Sequence, residues 1–223
     1  MATYARLVAR QNLVLLLLFV IGLAGCSSAY YRAAESLGFH KRDILVHRVE
    51  KARDSQEEAK TQFKSALERF TALTGFKGGN LEEKYQELNS EFERSQSKAD
   101  EVRKRIDDIE DVSEALFDEW ENELSQYQNP SLKRSSQQKL KATRQRYDQL
   151  IATMKRAESK MDPVLLTFRD QVLFLKHNLN AQAIASLRGE LDSLQTDISA
   201  LIKSMEVSIR EADEFIKSVG GPV

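Results

Sequence analysis

The sequence predicts an all-α fold, an elongated antiparallel four-helix bundle with coiled-coil-like seams. Three observations lead there. Charged residues make up 30% of the 223-residue chain and prolines number only three, a composition suited to long helices. Apolar residues recur in steps of four and three over four long stretches, and no run alternates as a half-buried strand would. Breakers then cut the chain into segments whose lengths match in pairs. They are GFKGGN at 75–80, QNP at 128–130, HNLN at 177–180 and the terminal GGPV. The resulting helices lie near 40–75, 81–127, 131–177 and 181–218.

The first segment carries its seam on Leu45, Val49, Ala52, Gln56, Ala59, Phe63, Ala66, Phe70 and Leu73. The second opens behind Asn80, a good N-cap. Its seam runs Leu81, Tyr85, Leu88, Phe92, Ser95, Ala99, Val102, Ile106, Ile109, Ser113, Leu116 and Trp120. Ten of those twelve positions are apolar or aromatic, a sustained heptad pattern. Asn129 ends this segment, because the residue before a proline is pushed out of helical geometry. The third seam is Leu140, Thr143, Tyr147, Leu150, Met154, Ala157, Met161, Val164 and Phe168. Within it, Pro163 marks a kink or a local helix start after Asp162. Asn178 suits a left-handed helix end and Asn180 suits an N-cap, so the chain is expected to reverse there. The fourth seam is Ile184, Leu187, Leu191, Leu194, Ile198, Leu201 and Met205.

No single helix can bury such a stripe alone, so the four must pack together. Charge indicates which neighbours pair. Residues 81–127 hold six basic and sixteen acidic side chains, net −10; residues 131–177 hold eleven and four, net +7. A hairpin folded at Pro130 brings residue 121 near 138 and residue 112 near 147. Exposed ion pairs stabilise by only ~0–1 kcal/mol each, so their use is to specify partner and direction. The alternative architecture has three long helices, the last running 131–218 and kinked near Pro163, with a second chain covering its open stripe.

The N-terminus gives an address. Arg6 and Arg10 precede an unbroken apolar run at 13–21, followed by small residues at 22–25, the layout of a signal peptide. Nine apolar residues span only ~14 Å as helix, too short for a ~30 Å hydrocarbon layer. Leu23, Ala24 and Gly25, ahead of Cys26, resemble the bacterial lipobox. That resemblance implies diacylglyceryl transfer to the Cys26 thiol, cleavage before it, and acylation of the new amine, with palmitate the typical chain. Several acyl chains hold a membrane stably where one does so marginally. Ser27 follows, where an aspartate would favour inner-membrane retention in enterobacterial lipoproteins, so an outer-membrane anchor facing the periplasm is expected. The chain thus divides into a signal peptide at 1–25, a lipidated N-terminus and tether at 26–39, a helical domain at 40–218 and a tail at 219–223. Tyr30 and Tyr31, close to the lipid, suit either the headgroup level or a plain linker. Cys26 is the only cysteine, so no internal disulfide can form and packing alone holds the fold. Loss of Arg6 and Arg10 takes the formal charge from −1 to −3, with no excess that would call for nucleic acid.

The block MDPVLLTFRDQVLFLKHNLNAQAIASL (161–187), behind a lipobox and two heptad helices, resembles a bacterial lipoprotein family known as domain of unknown function 2959. The resemblance implies a helical, secreted, lipid-anchored proteobacterial protein with no assigned activity, and it carries over no catalytic residues.

Chemistry-bearing constellations are not evident. The residues three before His40, His47 and His177 are Leu37, Ile44 and Phe174, which denies the Glu-x-x-His pairing of bundle metal sites. There is no G-x-S-x-G, Walker loop or G-x-G-x-x-G. No catalytic residue, metal ligand or cofactor is expected. His177, Asn178 and Asn180 form the one polar junction singled out for interaction, against the plainer reading of a turn that caps helix ends. Trp120 and Tyr127 fit a packed hairpin tip or an exposed contact patch. The expected function is a noncatalytic, lipid-anchored envelope scaffold. Its partners are the membrane and an envelope protein of unknown identity, and homo-oligomerisation is open. The alternative is a periplasmic module holding a lipid or other apolar ligand between its helices, lined by Phe63, Phe70, Phe92 and Phe117.

Overall fold

The computed structural model describes Tyr31, Gly38 and residues 40–76 and 78–220. The signal segment, the lipobox residues Leu23, Ala24 and Gly25, Cys26 and the last three residues lie outside the described residues. Among the described residues five helices follow in order: α1 (Lys41–Thr74), α2 (Leu81–Leu124), α3 (Pro130–Glu158), α4 (Met161–His177) and α5 (Ala181–Val219). Among the described residues there is no strand. α1 packs on α2 and α5, while α3 and α4 together pack on α2 and α5, so the bundle closes on itself. The longest helix, α2, has 44 residues and spans ~66 Å.

The seams explain the closure. All nine expected positions of α1, from Leu45 to Leu73, are buried. The core continues through Ile106 and Ile109, Leu150 and Met154, Leu187 and Leu201. Phe168 receives the edges of Phe70 (6.3 Å between ring centres) and Phe92 (5.9 Å), which locks three helices at one level. Each fully buried phenylalanine or leucine stabilises by ~1.5–3 kcal/mol, more than any surface ion pair. On α5 the stripe runs beyond Met205 to Ser208, Ala212 and Phe215.

The caps form largely as their residue types dictate. Asn80 accepts from the Glu83 amide at 3.3 Å, and Asn129 from the amides of Ser131 and Leu132 at 2.9 and 3.3 Å, with Pro130 opening α3. Asn180 accepts from Ala183 at 3.0 Å and starts α5. The reversal there rules out one continuous kinked helix over 131–218: α5 turns back and covers α1. Asn178 is not left-handed, however. It sits at φ −132°, ψ 64°, and its side-chain amide donates to the Phe174 carbonyl at 2.9 Å. In the first loop Gly79 has φ +124°, and a Cβ there would meet the Phe76 ring at 3.2 Å.

The third segment is two helices, with the break at Ser159–Lys160 rather than after Asp162. The cause is Pro163. It has no N–H for the carbonyl four residues back, on Ser159, and its ring crowds that oxygen.

The α2–α3 hairpin forms near the expected register. Trp120 Nε1 donates to Ser136 Oγ at 2.8 Å, and Phe117 meets the Tyr147 ring edge-on at 5.4 Å. Direct ion pairs across it are few, Arg144 to Glu121 at 2.6 Å and Lys155 to Glu110 at 2.5 Å, and Arg103 of α2 pairs with Asp162 of α4. The acids of α2 turn largely toward α1 and toward α2's own basic residues, as in Lys41–Glu119 at 2.9 Å and Arg48–Asp111 at 3.4 Å.

Candidate functional site

The alternation of helix directions sorts the molecule into two ends. The loops at 75–80 and 178–180 share one end, here called distal. The α2–α3 hairpin, Lys41 and the C-terminus of α5 lie toward the other: Lys41 pairs with Glu119, and Gly220 comes against Val46.

Tyr31 belongs to the second end. It is 1% exposed, within the core rather than in a free linker or at a headgroup position. Its phenol donates to Asp111 Oδ2 at 2.5 Å and accepts from Arg48 Nη1 at 2.9 Å, while the Arg48 guanidinium stacks 5.6 Å from the ring centre. Burial first, and then the bond to Asp111, push the phenol above its ordinary range. The neighbouring α2–α3 tip exposes Leu132 and Tyr127, with Trp120 half-buried beneath them.

At the distal end, Phe76, Leu81, Leu179, Ile184 and Arg188 line an open groove of about 480 Å³. Arg188 also donates to the Thr74 carbonyl at 2.6 Å, which satisfies the C-terminus of α1 and ties α5 to the first loop. Leu166, Leu173 and Phe174 are exposed on the outer face of α4, at seven- and eight-residue spacing, and Leu179 continues toward the groove. Of the three residues singled out at this junction, His177 is exposed, Asn178 bonds to its own helix and Asn180 caps α5. The structure brings them together as a turn that satisfies helix ends. The apolar residues around them are the more notable feature.

Phe63 and Phe70 are fully buried, Phe92 packs on Phe168, and Phe117 packs on Tyr147 and the Arg144 guanidinium. These four rings fill the core by meeting other side chains. A buried polar cluster between α1 and α2 escaped the sequence pattern. Glu91, 5% exposed, accepts from Gln62 Nε2 at 2.6 Å and pairs with Arg94 at 2.7 Å. Its signal was only its place three residues after Leu88. Among the described residues no group of three or more His, Cys, Asp or Glu is placed to hold a metal ion. No described helix is long and apolar enough to cross a membrane.

No curated protein and no solved structure matches this chain. A family model does, over residues 30–219, from the docked Tyr31 to the end of α5; the chain belongs to the family described as protein of unknown function, DUF2959.

Proposed function

We propose that this protein is a noncatalytic, lipid-anchored component of a bacterial envelope, held through Cys26 at the outer membrane and acting in the periplasm as a helical scaffold. The observation that supports it best is the separation of features along the rod. The lipobox-like Leu23-Ala24-Gly25-Cys26 precedes Tyr31, docked toward one end, while exposed Leu173, Phe174 and Leu179 gather toward the other. From Asp111, where Tyr31 docks, to Leu81 is ~45 Å of helix. A scaffold of this kind presents its distal end to an envelope protein well clear of the anchor.

Metabolic labelling with an alkyne fatty acid tests the anchor. Cys26→Ser is expected to abolish both label and processing, and undiminished label in that variant refutes the reading. Photocrosslinkers at Phe174 and at Gln195, on the exposed face of α5, test the distal contact. Capture confined to Phe174 is expected, and equal capture at both sites argues against it.

A second reading, favoured by the groove lined by Phe76, Leu81, Leu179 and Ile184, is a module that binds an apolar ligand. Saturable binding of a fluorescent fatty acid, lost in Ile184→Asp, would establish it.

A further inference from the structure

The stretch from Cys26 to Tyr31 limits how the bundle can meet a membrane. Five residues reach at most ~18 Å even when fully extended. Tyr31 is pinned at the level of Asp111, and α2 continues thirteen residues from there to Leu124, ~20 Å of helix. The α2–α3 tip therefore projects as far past Tyr31 as the tether can stretch. A lipid on Cys26 cannot hold a bilayer clear of that tip, so an upright bundle must touch the surface with it.

The tip has the chemistry for such contact. Residues 130–146, PSLKRSSQQKLKATRQR, contain six cations and no acid. Arg144 is engaged by Glu121 and the Phe117 ring. Lys133, Arg134, Lys139 and Lys141 pair with no carboxylate among the described residues, although the −10 helix lies beside them. Of the facing acids Asp118, Glu119, Glu121 and Glu123, Glu119 is held by Lys41 and Glu121 by Arg144. Leu132, 57% exposed, directly precedes Lys133 and Arg134, and Tyr127, 39% exposed, lies in the same turn beside Glu123 and Gln126. An exposed apolar and an exposed aromatic side chain at the turn that opens a basic helix match the interfacial zone of an anionic bilayer.

We propose that the α2–α3 tip seats in the headgroups of an anionic phospholipid surface, in the membrane that holds the anchor. Leu132 and Tyr127 enter the interface, and Lys133, Arg134, Lys139 and Lys141 lie on phosphates. The proposal rests on the reading of Cys26 as the lipid anchor.

The test uses the full chain carrying Leu132→Cys, purified after native processing and treated with a thiol-reactive environment-sensitive fluorophore. Acylated Cys26 leaves one reactive thiol; two labels by mass spectrometry would refute the anchor, and this proposal with it. The singly labelled protein is reconstituted into phosphatidylcholine vesicles with and without phosphatidylglycerol. The expected result is blue-shifted emission, quenched by headgroup spin-labelled lipid at least about twofold more in the anionic vesicles. Replacing Lys133, Arg134, Lys139 and Lys141 with Gln, at helicity unchanged by circular dichroism, should remove that difference. Three results with one label would overturn the proposal while leaving the anchor intact. One is a water-exposed fluorophore in both vesicles. Another is quenching indifferent to lipid charge and to the Gln variant. The last is a blue shift that grows with protein concentration without vesicles, which would assign the tip to a second copy of the chain.

Discussion

Gln56 offers the sharpest test of how this bundle is held together. It occupies a seam position of α1 and is 0% exposed, yet neither its amide nitrogen nor its amide oxygen has a hydrogen-bond partner among the described residues. Ser208, also 0% exposed with its hydroxyl unpartnered, lies at nearly the same level of α5, given the register set by Arg53 and Asp213 at 3.1 Å. A buried amide without partners destabilises by ~1–3 kcal/mol relative to an apolar group of the same shape. Methionine is the closest unbranched replacement, and its flexible thioether adapts to the existing space. Gln56→Met should therefore stabilise the fold by about 1–3 kcal/mol, raising Tm by roughly 2–12 °C for a domain of this size. Gln56→Ala relieves the same desolvation but leaves a cavity, so it should gain less than the methionine variant. Urea titration followed by circular dichroism reads the effect as a rise in midpoint at constant slope. A methionine variant less stable than the parent by more than ~0.5 kcal/mol would show that the amide is satisfied, by a water or by chain outside the described residues, and the argument would fail.

The same reasoning extends to groups that are satisfied. Glu91→Ala should destabilise by ~1–3 kcal/mol in urea melts, because it strands the half-buried Gln62 amide, the exposed Arg94 being free to solvate; a double-mutant cycle with Gln62→Ala should show coupling of ~0.5 kcal/mol or more. Asn180→Ala removes the cap of α5 and should lose ~1 kcal/mol, read as earlier hydrogen exchange in the first turn of that helix. Glu101 is held below the ordinary carboxylate range, first by its hydrogen bond from Lys98. Its contribution is therefore present above pH 4.5 and lost as pH falls through the depressed value. Glu101→Gln should accordingly show a shallower loss of Tm on acidification. Glu158 works in the opposite sense, since burial raises its pKa and protonation relieves a cost.

How legible the fold was depends on which physical signal each element carried. The seam of α1 was readable to the residue, because nine positions at steps of three and four leave little freedom in which face is buried. Asn80, Asn129 and Asn180 were readable as caps, because the amide's fit to free helix N–H groups is a local property. Asn178 was misread as left-handed: its side chain closes the helix end from a negative-φ conformation instead. The break before Met161 was placed too late, because a proline disturbs the carbonyl four residues upstream of itself. Glu91 was invisible, since the pattern from Leu88 continues equally well to Phe92. Tyr31 stands outside any periodic run, and its docking depends on Arg48 and Asp111, 17 and 80 residues away. Of the candidate site, the polar junction at His177, Asn178 and Asn180 was located, but its surroundings were not. That Leu173, Phe174 and Leu179 face outward follows from how α4 rests on α2 and α5.

The distribution of what is left unpaired is the strongest guide to function here. Along the middle of the rod some exposed charges find neighbours, as Lys98 does in Glu58 at 2.5 Å and Glu101 at 3.1 Å and Arg53 in Asp54 and Asp213, while others such as Lys64, Lys104 and Arg156 form no ion pair among the described residues. These pairs contribute little individually, and they offset part of the charge along the flank. The exposed large apolar residues, Leu166 apart, lie toward the two ends and stand in different company. Exposed Leu173, Phe174 and Leu179 lie toward the distal end, while exposed Leu132 at the α2–α3 tip opens a helix whose Lys133, Arg134, Lys139 and Lys141 pair with no carboxylate among the described residues. Folding gains nothing from either arrangement: an exposed phenylalanine forgoes burial, and lysines without a carboxylate partner add no ion pair. A rod whose ends are dissimilar is suited to span a distance between two different surfaces, and the anchor proposed at Cys26 would set a membrane at the basic one.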